Sequence, residues 1–279
     1  MNAVTQSAPR SNQYQQELQT ATSLAHSAGE LLRRLQKEQL EVTFKAAGEI
    51  VTNADHGSNA IICAGLAAAF PGDIIFSEET PAPESFAGPR VWIVDPLDST
   101  SNYASGGTEY SISIGLAVQG EPVVGVVFNP ARNEMFAGCA GLGTSLNGIP
   151  ARPSVGPMHK NSRLLVSSKE WQRGLGRFAR AITMYPMSSM AYKLARVAAG
   201  LDDAVLSLKA RKPWGSCAGA ALVLAAGGCI TSAEGQPLRF PPPAMGTFPG
   251  LVACGRWKHD DVLKLARSLR SAVVASKSA

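Results

Sequence analysis

The chain has 279 residues, 45% of them hydrophobic and 17% charged, and carries a formal net charge of +5. That balance is too apolar for general disorder, and no apolar run reaches the ~20 residues a bilayer span needs, so a compact protein with a substantial core and no membrane segment is expected. The cations are scattered rather than gathered with interleaved aromatics, which argues against a nucleic-acid partner and for a small anionic one.

Residues 1–11 are polar and aperiodic and read as a flexible leader. From Tyr14, the residues Leu18, Leu24, Ala28, Leu31 and Leu35 recur at helical spacing, which predicts an amphipathic helix. A second helix is expected over residues 57–70, stopped by Pro71-Gly72. Residues 73–76 then read as a short strand leading into Ser77-Glu78-Glu79, and residues 91–94 as a buried strand leading into Asp95-Pro96-Leu97-Asp98. Two strands therefore end at carboxylates.

Residues 111–118 and 122–128 are β-rich and separated by a hairpin-like break, and residues 141–153 form a stretch rich in glycine and proline. Beyond it come a strand at 164–166, a helix at 190–199, a strand at 204–208, a helix at 217–226 stopped by Gly227-Gly228, and a last helix over about 260–274. This alternation suggests a smaller α/β layer. The expected organisation is an N-terminal α+β domain over 12–155 carrying the carboxylates, and a C-terminal α/β domain over 156–279 contributing to the substrate pocket. The five cysteines, Cys63, Cys139, Cys217, Cys229 and Cys254, are odd in number and form no CxxC pair. With no basic-then-apolar N-terminal segment, a reduced cytoplasmic setting is expected.

The run from Trp92 to Tyr103 is the most informative. A strand delivers Asp95 and Asp98, and Pro96 fixes the turn between them so that both carboxylates can converge. Hard divalent ions such as Mg2+ prefer carboxylate and carbonyl oxygens and keep waters that a phosphate can replace, so Asp95, Asp98 and the Leu97 carbonyl form a candidate ligand set. The hydroxyl-rich residues that follow read as a helix start, where free N–H groups favour phosphate. A strand-ending Asp95 and a helix-capping Asp98 or Ser99 would explain the same residues without any metal.

Asp95 to Tyr103 resembles the signature of the inositol monophosphatase family, Asp-Pro-Ile/Leu-Asp-Gly-Thr-Thr-Asn-Phe, with Ser99 in place of the glycine and Ser101 in place of a threonine. Lys45, Glu49, Val51, Thr52 and Asp55 are similar to the family's Lys-x-x-x-Asp-x-Val-Thr-x-x-Asp, and Ser77-Glu78-Glu79 to its Gly-Glu-Glu segment. Gly125 to Pro130, Glu134 to Phe136, Asn147-Gly148, Trp214 and Gly227-Gly228 match further family positions in order, over about residues 20–265. The resemblance implies an α+β fold, a layered αβαβα sandwich of the inositol monophosphatase/fructose-1,6-bisphosphatase type. It implies Mg2+, with Mn2+ as a substitute, held by Glu78, Asp95, the Leu97 carbonyl and Asp98. Thr100 with Glu78 then activates the attacking water, Asp55 joins them as a catalytic residue, Ser99 and Thr100 meet phosphate through their amides, and Asp98 contacts substrate. A homodimer is an assembly to test for.

Two departures stand out. The family's tryptophan is followed by an aspartate that ligates a second metal, and here Gly215 follows Trp214, so a weakened second-metal site is expected. The neighbouring Asp202 and Asp203 offer no clear replacement. Where inositol-specific members carry a glutamate, this chain has Leu208, and Lys209, Arg211 and Lys212 follow, forming either an electropositive rim for a second phosphate or carboxylate, with Lys209 and Arg211 as substrate residues, or a solvated basic loop. The implied function is a Mg2+-dependent phosphomonoesterase acting on a sugar phosphate, nucleotide bisphosphate or inositol phosphate-like ester, and the alternative is a weak or inactive member that binds a phosphorylated ligand. His26, His56, His159 and His259 show no zinc spacing, the glycines at 141, 143 and 148 make no P-loop, and Cys217 reads as a small buried thiol.

Overall fold

The computed structural model describes residues 13–38, 40–45, 49–82, 88–178, 183–240 and 247–278, with side chains described as far as residue 272. The leader expected at residues 1–11 lies outside this set. Helix α1 (Gln15–Leu35) buries Ala21, Ala25, Ala28 and Leu32, a stripe at spacings of three and four. A small hairpin, β1 (Val42–Phe44) and β2 (Ile50–Thr52), precedes α2 (Asn53–Ala69). That helix begins earlier than residue 57 because Thr52 and Asp55 form a capping box: Thr52 Oγ1 accepts from the Ala54 amide at 3.2 Å, and the Asp55 carboxylate accepts from the Thr52 amide at 2.8 Å.

Seven strands follow in one sheet, ordered as they occur in the chain: β3 (Ile74–Ser77), β4 (Arg90–Asp98), β5 (Ser111–Val118), β6 (Glu121–Asn129), β7 (Glu134–Cys139), β8 (Gly143–Leu146) and β9 (Ile149–Ala151). Only β3 and β4 run parallel. The glycine- and proline-rich stretch at 141–153 is thus an edge hairpin, not a plain loop. Asn147 and Gly148, at φ of 51° and 79°, form the left-handed pair that a two-residue hairpin turn requires, and Pro150 is tolerated on the outermost strand.

The second sheet has five strands in the order β11-β10-β12-β14-β13: β10 (Leu164–Ser167), β11 (Met184–Met187), β12 (Ala204–Ser207), β13 (Gly228–Thr231) and β14 (Leu251–Gly255). Between the strands lie α3 (Thr100–Ala104), α4 (Ser168–Gln172), α5 (Met190–Ala198) and α6 (Cys217–Ala225), and α7 (His259–Ser278) closes the chain.

The layers follow from alternation along the strands. On β4, Trp92 and Val94 pack against α1 and α2, whereas Val91 and Ile93 face the other way, toward α5 and α6. Those two helices fill the space between the sheets, where Tyr192, Leu194, Leu222 and Val223 meet Leu165, Val205 and Ala253 of the second sheet. Helix α6 is apolar all round, as the burial of every residue from Cys217 to Val223 demands, and only Leu224 near its end is exposed. It sits directly on β5 and β6 because Gly115 and Gly125 carry no side chain; a Cβ at either would fall 2.7 Å from the Ala218 nitrogen or 2.2 Å from its oxygen. The outer face of the second sheet, with Leu164, Leu206 and Val252, packs under Val262, Ala266 and Leu269 of α7. The result is an α+β sandwich layered α-β-α-β-α. Among the described residues, no helix is long and apolar enough to cross a membrane.

Candidate active site

Strands β3 and β4 end side by side, because the Glu78 amide donates to the Val94 carbonyl at 3.1 Å just past the last residue of β3. The β4–β5 register shifts between Asp95 and Asp98, where Pro96 cannot donate to the ladder, and the resulting bulge re-aims the two aspartates. Ser58 of α2 ties the bulge down, donating to the Pro96 carbonyl at 2.8 Å. Asp95 is buried, accepts from the Leu97 amide at 3.2 Å, and has its carboxyl within hydrogen-bonding reach of Glu78. Asp98 turns the other way: its Oδ2 accepts from Ser189 Oγ at 2.6 Å and from the Ala191 amide at 2.7 Å, at the start of α5.

Burial, above all, pushes Glu78 up to about 7, with repulsion from Glu79 and Asp98 adding to it and Lys45 opposing it. Asp95 is raised well above the usual carboxylate range by burial and then by the charges of Glu78 and Asp98. Asp98 is raised by burial, against the Ser189 and Ala191 bonds and the nearby Lys193 charge. Lys45 stays cationic: burial works against its charge, but Glu79, at 2.6 Å, and Glu78, at 3.5 Å, outweigh it. Three crowded carboxyls thus lack enough positive charge within the protein.

Thr100 Oγ1 donates to Asp55 Oδ1 at 2.8 Å and lies 3.2 Å from the Leu97 carbonyl. Asp55 is raised by burial, with its bonds to Thr52 and Thr100 opposing. One carboxylate therefore both caps α2 and fixes the Thr100 hydroxyl. Ser99 adopts the left-handed conformation, φ 82° and ψ 52°, which explains why a glycine suits this position of the motif. Gly215 stands next to the aspartates: a Cβ there would lie 3.6 Å from Asp95 Oδ2 and 3.9 Å from both Asp98 oxygens, with no clash.

These groups open onto a cleft of about 760 Å³, lined by Glu78, Asp95, Leu97, Asp98, Ser99 and Thr100 as well as by cations. Arg211 is among those cations, but its guanidinium is paired with Glu170 and donates to Ser207 Oγ at 2.5 Å. Lys209 is not among the lining residues, and its amide is held by Glu170 at 2.9 Å. Asp202 is bound by Arg163 and Arg196, and Asp203 by Ser154, both away from the cleft, so neither stands in for an aspartate at 215.

Two residues that sequence reasoning missed shape the site. Glu170 is buried and gathers the Leu208 and Lys209 amides, Ser207 and Arg211 into one loop. Lys193 is fully buried, donates to the Met187 and Ser188 carbonyls at 2.7 and 3.2 Å, and is pushed down to about 7 by burial and then by Arg211. It braces the turn whose Ser189 and Ala191 hold Asp98. A lysine on the buried stretch 190–195 of α5 was the available signal.

A family model described as the inositol monophosphatase family matches residues 13–271. The chain belongs to the inositol monophosphatase family. The tomato (Solanum lycopersicum) protein named inositol monophosphatase 2 is 32% identical over 235 residues, covering 77% of this chain and 87% of that one. The Pasteurella multocida protein named Nus factor SuhB is 30% identical, covering 78% and 85%. Among solved structures, an IMPase of Thermotoga maritima superposes with a TM-score of 0.82 at 26% identity, covering 92% of this chain and 99% of that one. The family resemblance read from Asp95 to Tyr103 and the layered α+β sandwich are thereby borne out. Membership of this metal-dependent family supports a phosphatase of small phosphate esters.

Among the described residues, no three His, Cys, Asp or Glu side chains are gathered closely enough to form a metal group by themselves. The donor chemistry nevertheless fits one hard divalent ion. Glu78 and Asp95 are adjacent, oxygen-only and short of positive charge, Leu97 lines the same cleft with its carbonyl 3.2 Å from the Thr100 hydroxyl, and Mg2+ would complete its shell with water.

Proposed function

We propose that this chain is a Mg2+-dependent phosphomonoesterase that hydrolyses a small anionic phosphate ester with a metal-activated water. The reading is carried by one observation: the charge-starved Glu78–Asp95 pair shares a cleft with Asp98 and with a Thr100 hydroxyl fixed by Asp55. Glu78, Asp95 and the Leu97 carbonyl would hold the ion. When bound, Mg2+ supplies a Lewis acid and a water of lowered pKa.

The chain's own groups do the rest. Asp55 takes the Thr100 proton in a hydrogen bond, leaving the oxygen's lone pairs to accept from a water and orient it. The Ser99 and Thr100 amides, at the mouth of a short helix, offer donors to phosphate oxygens. Asp98, held by α5 through Oδ2, has both oxygens 3.9 Å from where a Cβ at Gly215 would stand. A second cation there would lack the oxygen an aspartate at 215 supplies, so its binding is weak.

A phosphate-release screen over sugar phosphates, nucleotide bisphosphates and inositol phosphates, with Mg2+ and with chelator, tests the proposal. Release from at least one class, abolished by chelation, is the expected result. No release from any ester would sink it.

A further inference from the structure

Lys193 lies on α5, a helix whose body is fixed against α6: Gly219 lets the two approach so closely that a Cβ there would stand 2.4 Å from the Leu194 Cβ. That contact leaves the chain entering α5 to be held by other means. The entering turn carries the groups that matter to the cleft. Ser189 Oγ donates its one proton to Asp98 Oδ2 at 2.6 Å and accepts from the Tyr192 amide at 3.0 Å. The Ala191 amide donates to the same Asp98 oxygen at 2.7 Å. Asp98 is therefore aimed across the fold, by the first residues of α5.

Lys193 reaches back over this turn. Its Nζ donates to the Met187 carbonyl at 2.7 Å and to the Ser188 carbonyl at 3.2 Å, while Glu109 accepts from the Ser188 amide at 3.1 Å. The side chain is fully buried, and among the described residues both of its hydrogen bonds go to carbonyls and neither to a carboxylate. Burying an amine costs free energy that an apolar side chain, like those of its buried neighbours Leu194 and Ala195, avoids. What the amine adds is a hold on the two carbonyls just ahead of Ser189. A turn pinned there keeps Ser189 Oγ, and through it the Asp98 carboxylate, in one position. An error of about 1 Å in such a group can cost on the order of 10²-fold in rate.

We propose that Lys193 is a positioning residue: by pinning the 187–189 turn it fixes Ser189 and so orients Asp98 for the reaction in the cleft. The consequence for turnover rests on the phosphatase reading above. The link from Lys193 to Asp98 does not.

Lys193→Met, which keeps the length and loses the donor, Ser189→Ala and the double variant form a double-mutant cycle on the full chain. Two quantities are read: kcat and KM for inositol 1-phosphate, fructose 1,6-bisphosphate and adenosine 3′,5′-bisphosphate with Mg2+, and the rise in Tm that Mg2+ alone produces. On any ester the intact chain hydrolyses, each single substitution should lower kcat by about tenfold or more with a smaller change in KM, and each should shrink the Mg2+-induced rise. The double variant should lose no more than about twofold beyond the worse single one, because both substitutions act on the same bond to Asp98. Losses that multiply, a Lys193→Met protein that matches the intact chain in both readings, or a raised KM at constant kcat overturn the assignment. If Lys193→Met does not fold, Lys193→Gln, which keeps an N–H on a shorter stem, takes its place under the same criteria. A non-additive loss of the Mg2+ shift without phosphate release from any ester leaves the positioning role standing and refutes the phosphatase reading. Phosphate release with effects that multiply does the reverse.

Discussion

Thr100 carries one proton and has two acceptors in reach, Asp55 Oδ1 at 2.8 Å and the Leu97 carbonyl at 3.2 Å. The shorter bond to a carboxylate wins, and the hydroxyl oxygen is left as an acceptor facing the cleft. Thr100→Ala should therefore lower kcat by about 10²-fold with a smaller change in KM, and Thr100→Ser should restore most of it, because the loss is in orienting water. A raised KM at constant kcat would make Thr100 a binding residue instead. Gly215 poses the converse question. Space for a side chain exists there, at ordinary contact distance from Asp95 and Asp98, and the backbone needs no left-handed conformation. Gly215→Asp should add an anionic oxygen beside both, strengthen binding of a second divalent ion, and make the metal-free protein less stable through carboxylate repulsion. Calorimetric titration showing no additional or tighter metal site would mean that the local backbone cannot use the carboxylate.

At the scale of elements, β4 and the start of α2 do most of the positioning. Thr52 Oγ1 donates to Asp55 Oδ2 at 2.6 Å and accepts from the Ala54 amide, so one hydroxyl caps the helix and steadies the carboxylate that holds Thr100. Thr52→Ala should cost about 1 kcal/mol, a fall in Tm of roughly 2–4 °C for a domain of this size, together with a drop in kcat. A loss of stability with unchanged kcat would separate the cap from the site. The strands that feed the site were legible because their signals are local: residues 91–94 form an apolar run, and the two aspartates follow directly after it. The start of α2 was not, since Thr52 and Asp55 match the family's Lys-x-x-x-Asp-x-Val-Thr-x-x-Asp run, although the same residues form the capping box. Strands β8 and β9 were hidden by glycine and proline, which an edge hairpin tolerates. Glu170 and Lys193 escaped because their meaning depends on approach across the fold: Glu170 reaches an amide 38 residues away, and Ser189 meets an aspartate 91 residues away.

For the whole molecule, the buried carboxyls couple stability to pH and to metal. Glu78 is raised from its ordinary 4.5 to about 7, and Asp95 and Asp98 are raised as well, so the folded metal-free chain binds more protons than the unfolded chain between those limits. Stability from these groups is complete below the ordinary carboxylate value and is lost as pH rises through about 7. His259, held below its ordinary 6.5 by burial, pulls the other way as pH falls, and Lys193, pushed down to about 7, contributes a rise with pH above that point. Comparison with Glu78→Gln separates the carboxyl contribution, since both opposing groups remain in the variant. In chelator, the intact protein should lose more Tm than Glu78→Gln between about pH 5 and pH 7.5, and Mg2+ should raise the Tm of the intact protein more at the higher pH, where the cation meets ionised rather than protonated ligands. Scanning fluorimetry at both pH values, with and without Mg2+, reads this directly. Parallel pH profiles for the two proteins in chelator would mean that the Glu78 carboxyl is not raised, and a Mg2+ shift that is the same at both pH values would mean that these carboxyls do not carry the metal.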